Sequence, residues 1–300
     1  MKQFFLVLMI SITIMQTKAQ NENYPAYTGT DLGLSFSPKQ SVFKIWAPTA
    51  TKAQLKLYRL PLGGTATRTV DLKKGAQGTW AITLQGNYEG VYYAFCIEHE
   101  GKWLNEVPDP YAKAVGTNGK RAMVVDVKKT DPAGWDKDLQ PKLKNATDAI
   151  IYELHIRDAS IAANSGIINK GKYAGLAETG TKNPAGLSTG LDHLAELGVT
   201  HIHLLPFFDY NSVDESSTKT QYNWGYDPVN YNTPEGSYSS NPADGTVRIK
   251  ELKQVVQAFH KKGLALVMDV VYNHTGTTEE SNFNQLVPGY YYRHMKEGKL

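Results

Sequence analysis

The feature that most constrains this chain is a change of period near residue 128. Before it, apolar and polar residues alternate in short runs: Ser41-Val42-Phe43-Lys44-Ile45-Trp46 up to a break at Pro48, Gln54-Leu55-Lys56-Leu57-Tyr58, Trp80-Ala81-Ile82-Thr83-Leu84 and Val91-Tyr92-Tyr93-Ala94-Phe95. Gly63-Gly64 and Gly75-Ala76-Gln77-Gly78 punctuate them as turns. Short alternating strands at about ten-residue spacing predict an all-β sandwich of immunoglobulin-like type over residues 24–127. Around residues 128–147 the chain turns polar, which predicts a linker.

From residue 148 the pattern is strands alternating with helices. A buried strand is predicted over 149–155, a helix over 191–197 stopped by Gly198, and a second strand over 201–206. A second helix over 247–262 carries Leu252, Val255, Val256 and Phe259 on one face and ends at Gly263, and a third strand follows over 264–271. That order implies parallel strands joined by right-handed crossovers. The stretch from 208 to 246 reads as a long loop rich in Tyr, Trp, Gly, Asn and Asp, leaving the carboxyl end of a strand. In barrel enzymes that end carries the active site.

The first residues read as an address. Lys2 precedes an apolar run from Phe4 to about Met15, followed by Gln16-Thr17-Lys18-Ala19, the pattern of a secretory signal peptide over residues 1–19. The run is short for a membrane span, and no other stretch is apolar enough to make one, so the mature product is expected to be secreted or periplasmic. Charge adds little: 32 basic residues against 29 acidic ones, with no basic stripe interleaved with aromatics, leave no footprint for nucleic acid. Cys96 is the single cysteine, which rules out an intramolecular disulfide and a CxxC metal or redox motif.

Two constellations carry chemistry. Tyr222-Asn223-Trp224-Gly225-Tyr226-Asp227-Pro228 presents flat aromatic faces and a carboxylate around a glycine that permits a tight backbone. A sugar site needs that pairing of ring face and hydroxyl acceptor, and a packed loop with an aromatic plug would also use it. Asp269-Val270-Val271-Tyr272-Asn273-His274 closes the third strand; at period two, Asp269, Val271 and Asn273 share a side, and His274 falls at the rim. The alternative is a structural carboxylate capping the strand. His201-Ile202-His203 is an HxH pattern, but its apolar strand continues through Leu204-Leu205-Pro206, which places the histidines near the strand's start, at the stability face. His155, Arg157 and Asp158 read as structural pairs, and Asp209 as a residue pointing to the same face as the motifs. Trp46, Trp80 and Trp103 read as core or interface residues rather than a sugar platform.

Taken together, these residues resemble the glycoside hydrolase family 13 (α-amylase) superfamily. The 269–274 segment matches its first conserved region, and the 222–228 segment looks like the hallmark of the type I pullulanases. Ile151-Tyr152-Glu153-Leu154-His155 and His203-Leu204-Leu205-Pro206-Phe207-Phe208-Asp209 support it, and Phe43-Lys44-Ile45-Trp46-Ala47-Pro48 with Pro108-Asp109-Pro110-Tyr111 resembles carbohydrate-binding module family 48. Ala159 departs from the family, where an aromatic is common.

The resemblance implies the first strands and helices of a (β/α)8 TIM barrel over 148–300, and hydrolysis of α-1,6 branch linkages in pullulan, starch or glycogen-type α-glucans with retention of configuration. It implies that Tyr226 stacks on a sugar, Asp227 and His274 bind its hydroxyls, and Trp224, Asp269 and Asn273 organise the site. The partner is an α-glucan; no cofactor is certain, and calcium stays open. The family's nucleophilic Asp and acid/base Glu belong to later strands, so the chain reads as the N-terminal part of a longer product, inactive by itself. An α-1,4-acting amylase, an isoamylase-type debrancher and a non-catalytic glucan-binding protein are the competing readings.

Overall fold

The structure is a computed structural model and describes residues 24–293. The signal-peptide segment lies outside the described residues. The N-terminal strands are β1 (Gly33–Ser37), β2 (Gln40–Trp46), β3 (Lys52–Tyr58), β4 (Arg68–Asp71), β5 (Lys73–Lys74), β6 (Thr79–Gln85), β7 (Tyr92–His99), β8 (Lys102–Trp103) and β9 (Ala122–Met123). They form two antiparallel sheets, in order β1-β2-β6-β5 and β4-β3-β7-β8, with β9 also on β7. Alternation does the work: Phe43 and Ile45 of β2, Leu55 and Leu57 of β3 and Trp80 of β6 enter one core with Tyr93, Phe95 and Ile97. β7 departs from alternation, with Tyr92 to Ile97 all buried. Its other face, with Tyr58, Ala94 and Met123, packs against Ile249 of the following unit, so both sides are covered.

The second unit contains β10 (Ile151–Leu154), β11 (His201–Leu204) and β14 (Ala265–Met268), paired in parallel in the order β10-β11-β14. Its helices are α1 (Tyr173–Leu176), α2 (Gly190–Glu196), α3 (Gly245–Lys261) and α4 (Asn282–Leu286). Asp244 caps α3 by accepting from the Thr246 N–H, and Gly263, at φ +77°, supplies the left-handed residue that ends it. Val255, Phe259, Leu191, Leu194, Ile202 and Leu204 make the helix–sheet core. Among the described residues, no helix is long and apolar enough to cross a membrane.

Four expectations need correction. The first strand is not buried: Ile150, Ile151 and Tyr152 are 56%, 59% and 44% exposed, because β10 is a sheet edge with one face uncovered, whereas Ile202 in the central β11 is at 0%. The 208–246 stretch is not structureless. β12 (Phe208–Tyr210) and β13 (Pro228–Pro234) pair antiparallel within it, with irregular register. Residues 128–147 are not a free tether: Lys253 Nζ holds Asp131 and Thr130 at 2.5 and 2.9 Å, Gln257 donates to the Ala133 carbonyl at 3.1 Å, and His260 meets Asp138 at 2.6 Å. The segment is polar because the α3 side chains that hold it are polar. Asp209 does not face the rim; it is 1% exposed and bonded to Arg248 and Asn230.

Candidate functional site

The 222–228 loop folds on its own polar groups. Gly225 lies at φ +88°, and a Cβ there would sit 2.5 Å from the Pro206 carbonyl oxygen, so only glycine fits. Asn223 spans the turn: its Oδ1 accepts from the Gly225 N–H and its Nδ2 donates to Asp227 Oδ1, both at 2.8 Å. His155 anchors the loop from just past the end of β10. The Asp158 N–H donates to its Nδ1 at 3.3 Å, so Nε2 carries the proton and donates to the Asn223 carbonyl at 2.9 Å. Asp158 accepts from Arg157 and from the Tyr222 hydroxyl, both at 2.9 Å, and Trp224 Nε1 donates to Tyr222 at 2.8 Å. His155, Arg157 and Asp158 are therefore the structural pairs the sequence suggests.

This bracing leaves aromatic surface outside. Trp224 is 59% exposed and Tyr226 37%. The Tyr226 hydroxyl donates to Asp269 Oδ2 at 2.7 Å, which ties the loop to the end of β14. Burial first, and Asp269 second, push the Tyr226 phenol up to about 12. His274 closes a second link. Asn273 Nδ2 donates to its Nδ1 at 3.0 Å, and Nε2 donates to the Tyr226 carbonyl at 2.6 Å. Tyr231 of β13 holds the His274 carbonyl at 2.8 Å. Asp227 is braced from the far side, its Oδ2 accepting from the backbone N–H of Ser212 at 2.9 Å and from the Ser212 hydroxyl. The six residues singled out from sequence, Trp224, Tyr226, Asp227, Asp269, Asn273 and His274, thus form one connected patch at the carboxyl ends of the parallel strands.

The HxH reading needs correction. His203 does not sit away from this patch; its Nε2 lies 3.4 Å from Asp269 Oδ2 and its Nδ1 3.8 Å from Glu153 Oε2. The signal was present in the strand order, since the parallel register puts Glu153, His203 and Val267 in one row, with Asp269 two residues further on.

A separate buried ionic cluster gathers on α3 and the 209–235 segment, and of its members only Asp209 was singled out from the sequence. Arg248 of α3 is fully buried and meets Asp209 Oδ1 at 3.0 Å and Glu215 Oε2 at 2.6 Å. It also donates to the carbonyls of Gly116, Pro234 and Pro242. Glu235 stands close by, accepting from the N–H groups of Tyr210 and Ser237. Carboxylate oxygens of Asp209, Glu215 and Glu235 lie within 4.8 Å of one another, and burial raises all three from their ordinary values. Gly116 belongs to the segment ahead of β9, so the cluster also fastens the β-sandwich to the second unit. The oxygens are engaged by Arg248, Asn230 and backbone donors. Such a set suits a cation no better than the guanidinium already in it.

Trp80 is buried in the sandwich core and Trp46 is half-buried against Tyr24 and Tyr290, while Trp103 is 42% exposed. Only the first two follow the expectation of core or interface.

Comparisons with known proteins give the chain's relatives. Residues 31–112 match the carbohydrate-binding module 48 (isoamylase N-terminal domain) family model, and residues 169–291 match that of the α-amylase catalytic domain. The chain is 43% identical to a pullulanase of Bacillus subtilis (strain 168) over 285 residues, 95% of this chain and 38% of that protein. It is 34% identical to the chloroplastic pullulanase 1 of Arabidopsis thaliana, covering 89% of this chain and 32% of the relative. The crystal structure of a Paenibacillus barengoltzii pullulanase in complex with maltohexaose and α-cyclodextrin superposes with a TM-score of 0.90 at 47% identity, covering 92% of this chain and 43% of that one. The chain therefore spans well under half the length of each of these relatives.

Proposed function

The chain belongs to the pullulanase branch of the α-amylase family of glycoside hydrolases, with that branch's β module followed by the start of its catalytic domain, and from this premise we propose that it builds the glucan-gripping wall of an α-1,6-debranching hydrolase. The observation that carries the reading is the exposed Trp224–Tyr226 face, held rigidly between Asp269, His274 and His155. An apolar ring face stacks on the C–H face of a glucose unit, and loops fixed at several points lose little entropy when they do so.

In this reading Tyr226 supplies the stacking surface at the cleavage subsite. Asp227 keeps free lone pairs beside its bonds to Asn223 and Ser212, and these accept sugar hydroxyls. His274 positions Tyr226 through its carbonyl and presents its ring edge to the same sugar. Asp269 and Asn273 hold these groups from beneath. Retaining hydrolysis further requires two carboxyl groups about 5–5.5 Å apart, one nucleophile and one acid/base. By resemblance these belong to strands that follow the third, completing a (β/α)8 barrel over the uncovered faces of Tyr152 and Met268. The leader-like residues 1–19 support export, which places the reaction outside the cytoplasm.

The test pairs binding with cleavage. Maltotriose titrated into the protein is expected to quench Trp224 fluorescence, and Tyr226→Ala to weaken that binding about tenfold through loss of a stacking face. Pullulan incubated with the natural product, its intact mass read on the same sample, is expected to yield maltotriose. Unchanged maltotriose affinity in the Ala variant removes Tyr226 from the site, and cleavage of linear α-1,4 chains alone would replace debranching with an amylase activity.

A further inference from the structure

Among the described residues, His203 is the one side chain near the patch with a buried polar atom left unpaired. Its Nε2 is buried and makes no hydrogen bond. A buried N–H without a partner costs free energy, so a native structure that retains one has a use for it. The nearest acceptor is Asp269 Oδ2, 3.4 Å away, the same oxygen that receives the Tyr226 hydroxyl at 2.7 Å. On its other side Nδ1 lies 3.8 Å from Glu153 Oε2. The ring therefore stands between two carboxylates contributed by the neighbouring strands β10 and β14.

We infer that His203 is a positioning residue for the glucan site: its Nε2–H fixes the Asp269 carboxylate, and through it the Tyr226 ring. The parallel sheet sets this up. Main-chain pairing fixes His203 opposite Glu153 and Val267, and period two brings Asp269 to the same side of β14. Once the His203 bond to Asp269 closes, an oxygen that accepts from two sides cannot swing, so the phenol it holds is fixed in azimuth as well as height. Contacts in unliganded sites are often long and tighten when the substrate seats. A sugar pressing on Tyr226 drives Asp269 the few tenths of an ångström that complete the His203 bond. His201 does not share this role, since its Nδ1 pairs with the hydroxyl of Thr200 at 2.8 Å.

This inference rests on the glucan reading, and two measurements separate their failures. The first needs no sugar. Long-range 1H–15N correlation spectra of the full chain are expected to show His203 as the Nε2–H tautomer. Asp269→Asn and Tyr226→Phe should each shift that Nε2 resonance while leaving His193 and His201 in place. A ring indifferent to both substitutions overturns the inference. The second is maltotriose titration. His203→Ala is expected to weaken binding about tenfold, the scale of one hydrogen bond to a charged group. His203→Gln, whose amide reaches the same oxygen, should restore most of the affinity. Equal affinity for wild type and His203→Ala overturns the inference, as does a Gln variant as weak as Ala. Wild-type protein that ignores maltotriose sinks the glucan reading instead, and the spectra alone then decide the role of His203.

Discussion

Replacing Arg248 by Met is the sharpest perturbation this structure offers. The side chain is fully buried, so Met fills similar space while removing the charge. What remains is Asp209, Glu215 and Glu235 within 4.8 Å of one another, and the carbonyls of Gly116, Pro234 and Pro242 without their donor. Deleting one partner of a buried ion pair costs about 3–5 kcal/mol, because the other charge is left behind. The cost depends on pH, and its sign follows from the acids. Burial foremost, partly offset by Arg248, raises Glu215 from 4.5 to about 7, and burial with its two acidic neighbours raises Glu235 to about 8. A carboxyl with a raised folded value binds its proton more tightly folded than unfolded, so its contribution is full below the unfolded value and is lost as pH climbs through the folded one. The wild type therefore loses stability from these two groups between about pH 4.5 and 8. Arg248 lowers both acids, so without it they rise further, and the variant's extra penalty opens only as pH climbs past about 7. Urea unfolding followed by tryptophan fluorescence is expected to show a deficit of about 3–5 kcal/mol at pH 8. At pH 5, with the two glutamates neutral, the remaining deficit should be about 1–3 kcal/mol, the cost of unsatisfied carbonyls and Asp209. A deficit equal at both pH values, or a variant as stable as wild type at pH 8, refutes the reasoning.

Two further outcomes are expected. Gly225→Ala forces an L-residue to φ +88° and a Cβ to within 2.5 Å of the Pro206 carbonyl, so its thermal midpoint should drop by the equivalent of about 1–3 kcal/mol and maltotriose binding should fall with it. Tyr226→Phe keeps the stacking face and loses the bond to Asp269; the ultraviolet titration should lose one phenol that ionises near 12, with maltotriose affinity falling less than in Tyr226→Ala.

The sandwich was legible because its strands bury one face: Phe43, Ile45, Leu55 and Leu57 reach the core at every second position. The parallel strands and α3 were legible for the same reason at their own period, with Val255 and Phe259 fully buried. What failed was the polar remainder. Pro228 and Pro234 bound β13, residues that read as breakers, yet on a short irregular pair of strands proline costs little. Residues 130–138 look like a tether because their partners on α3 are Lys253, Gln257 and His260, and a polar surface docked on a polar surface has no hydrophobic pattern to read.

The site divides along the same line. Trp224, Tyr226, Asp269 and His274 stand in two compact motifs whose residue types suit a sugar site, and the structure joins Tyr226 to Asp269 and His274 through its hydroxyl and carbonyl. The residues that fix those motifs in space come from elsewhere in the chain: His155 just after β10, Ser212 after β12, Tyr231 on β13 and His203 on β11. Apart from His203 in its HxH pattern, none has a characteristic spacing, because each is called for by the three-dimensional end of a strand and not by its neighbours in sequence. The same holds for Arg248, which joins Gly116 ahead of β9 to Asp209 and Glu215 nearly a hundred residues later. The proposed glucan-stacking loop, exposed yet held at several points, needs both layers. The aromatic faces are local and can be read in a line of text, whereas their rigidity is a property of the sheet order that brings Glu153, His203 and Asp269 side by side.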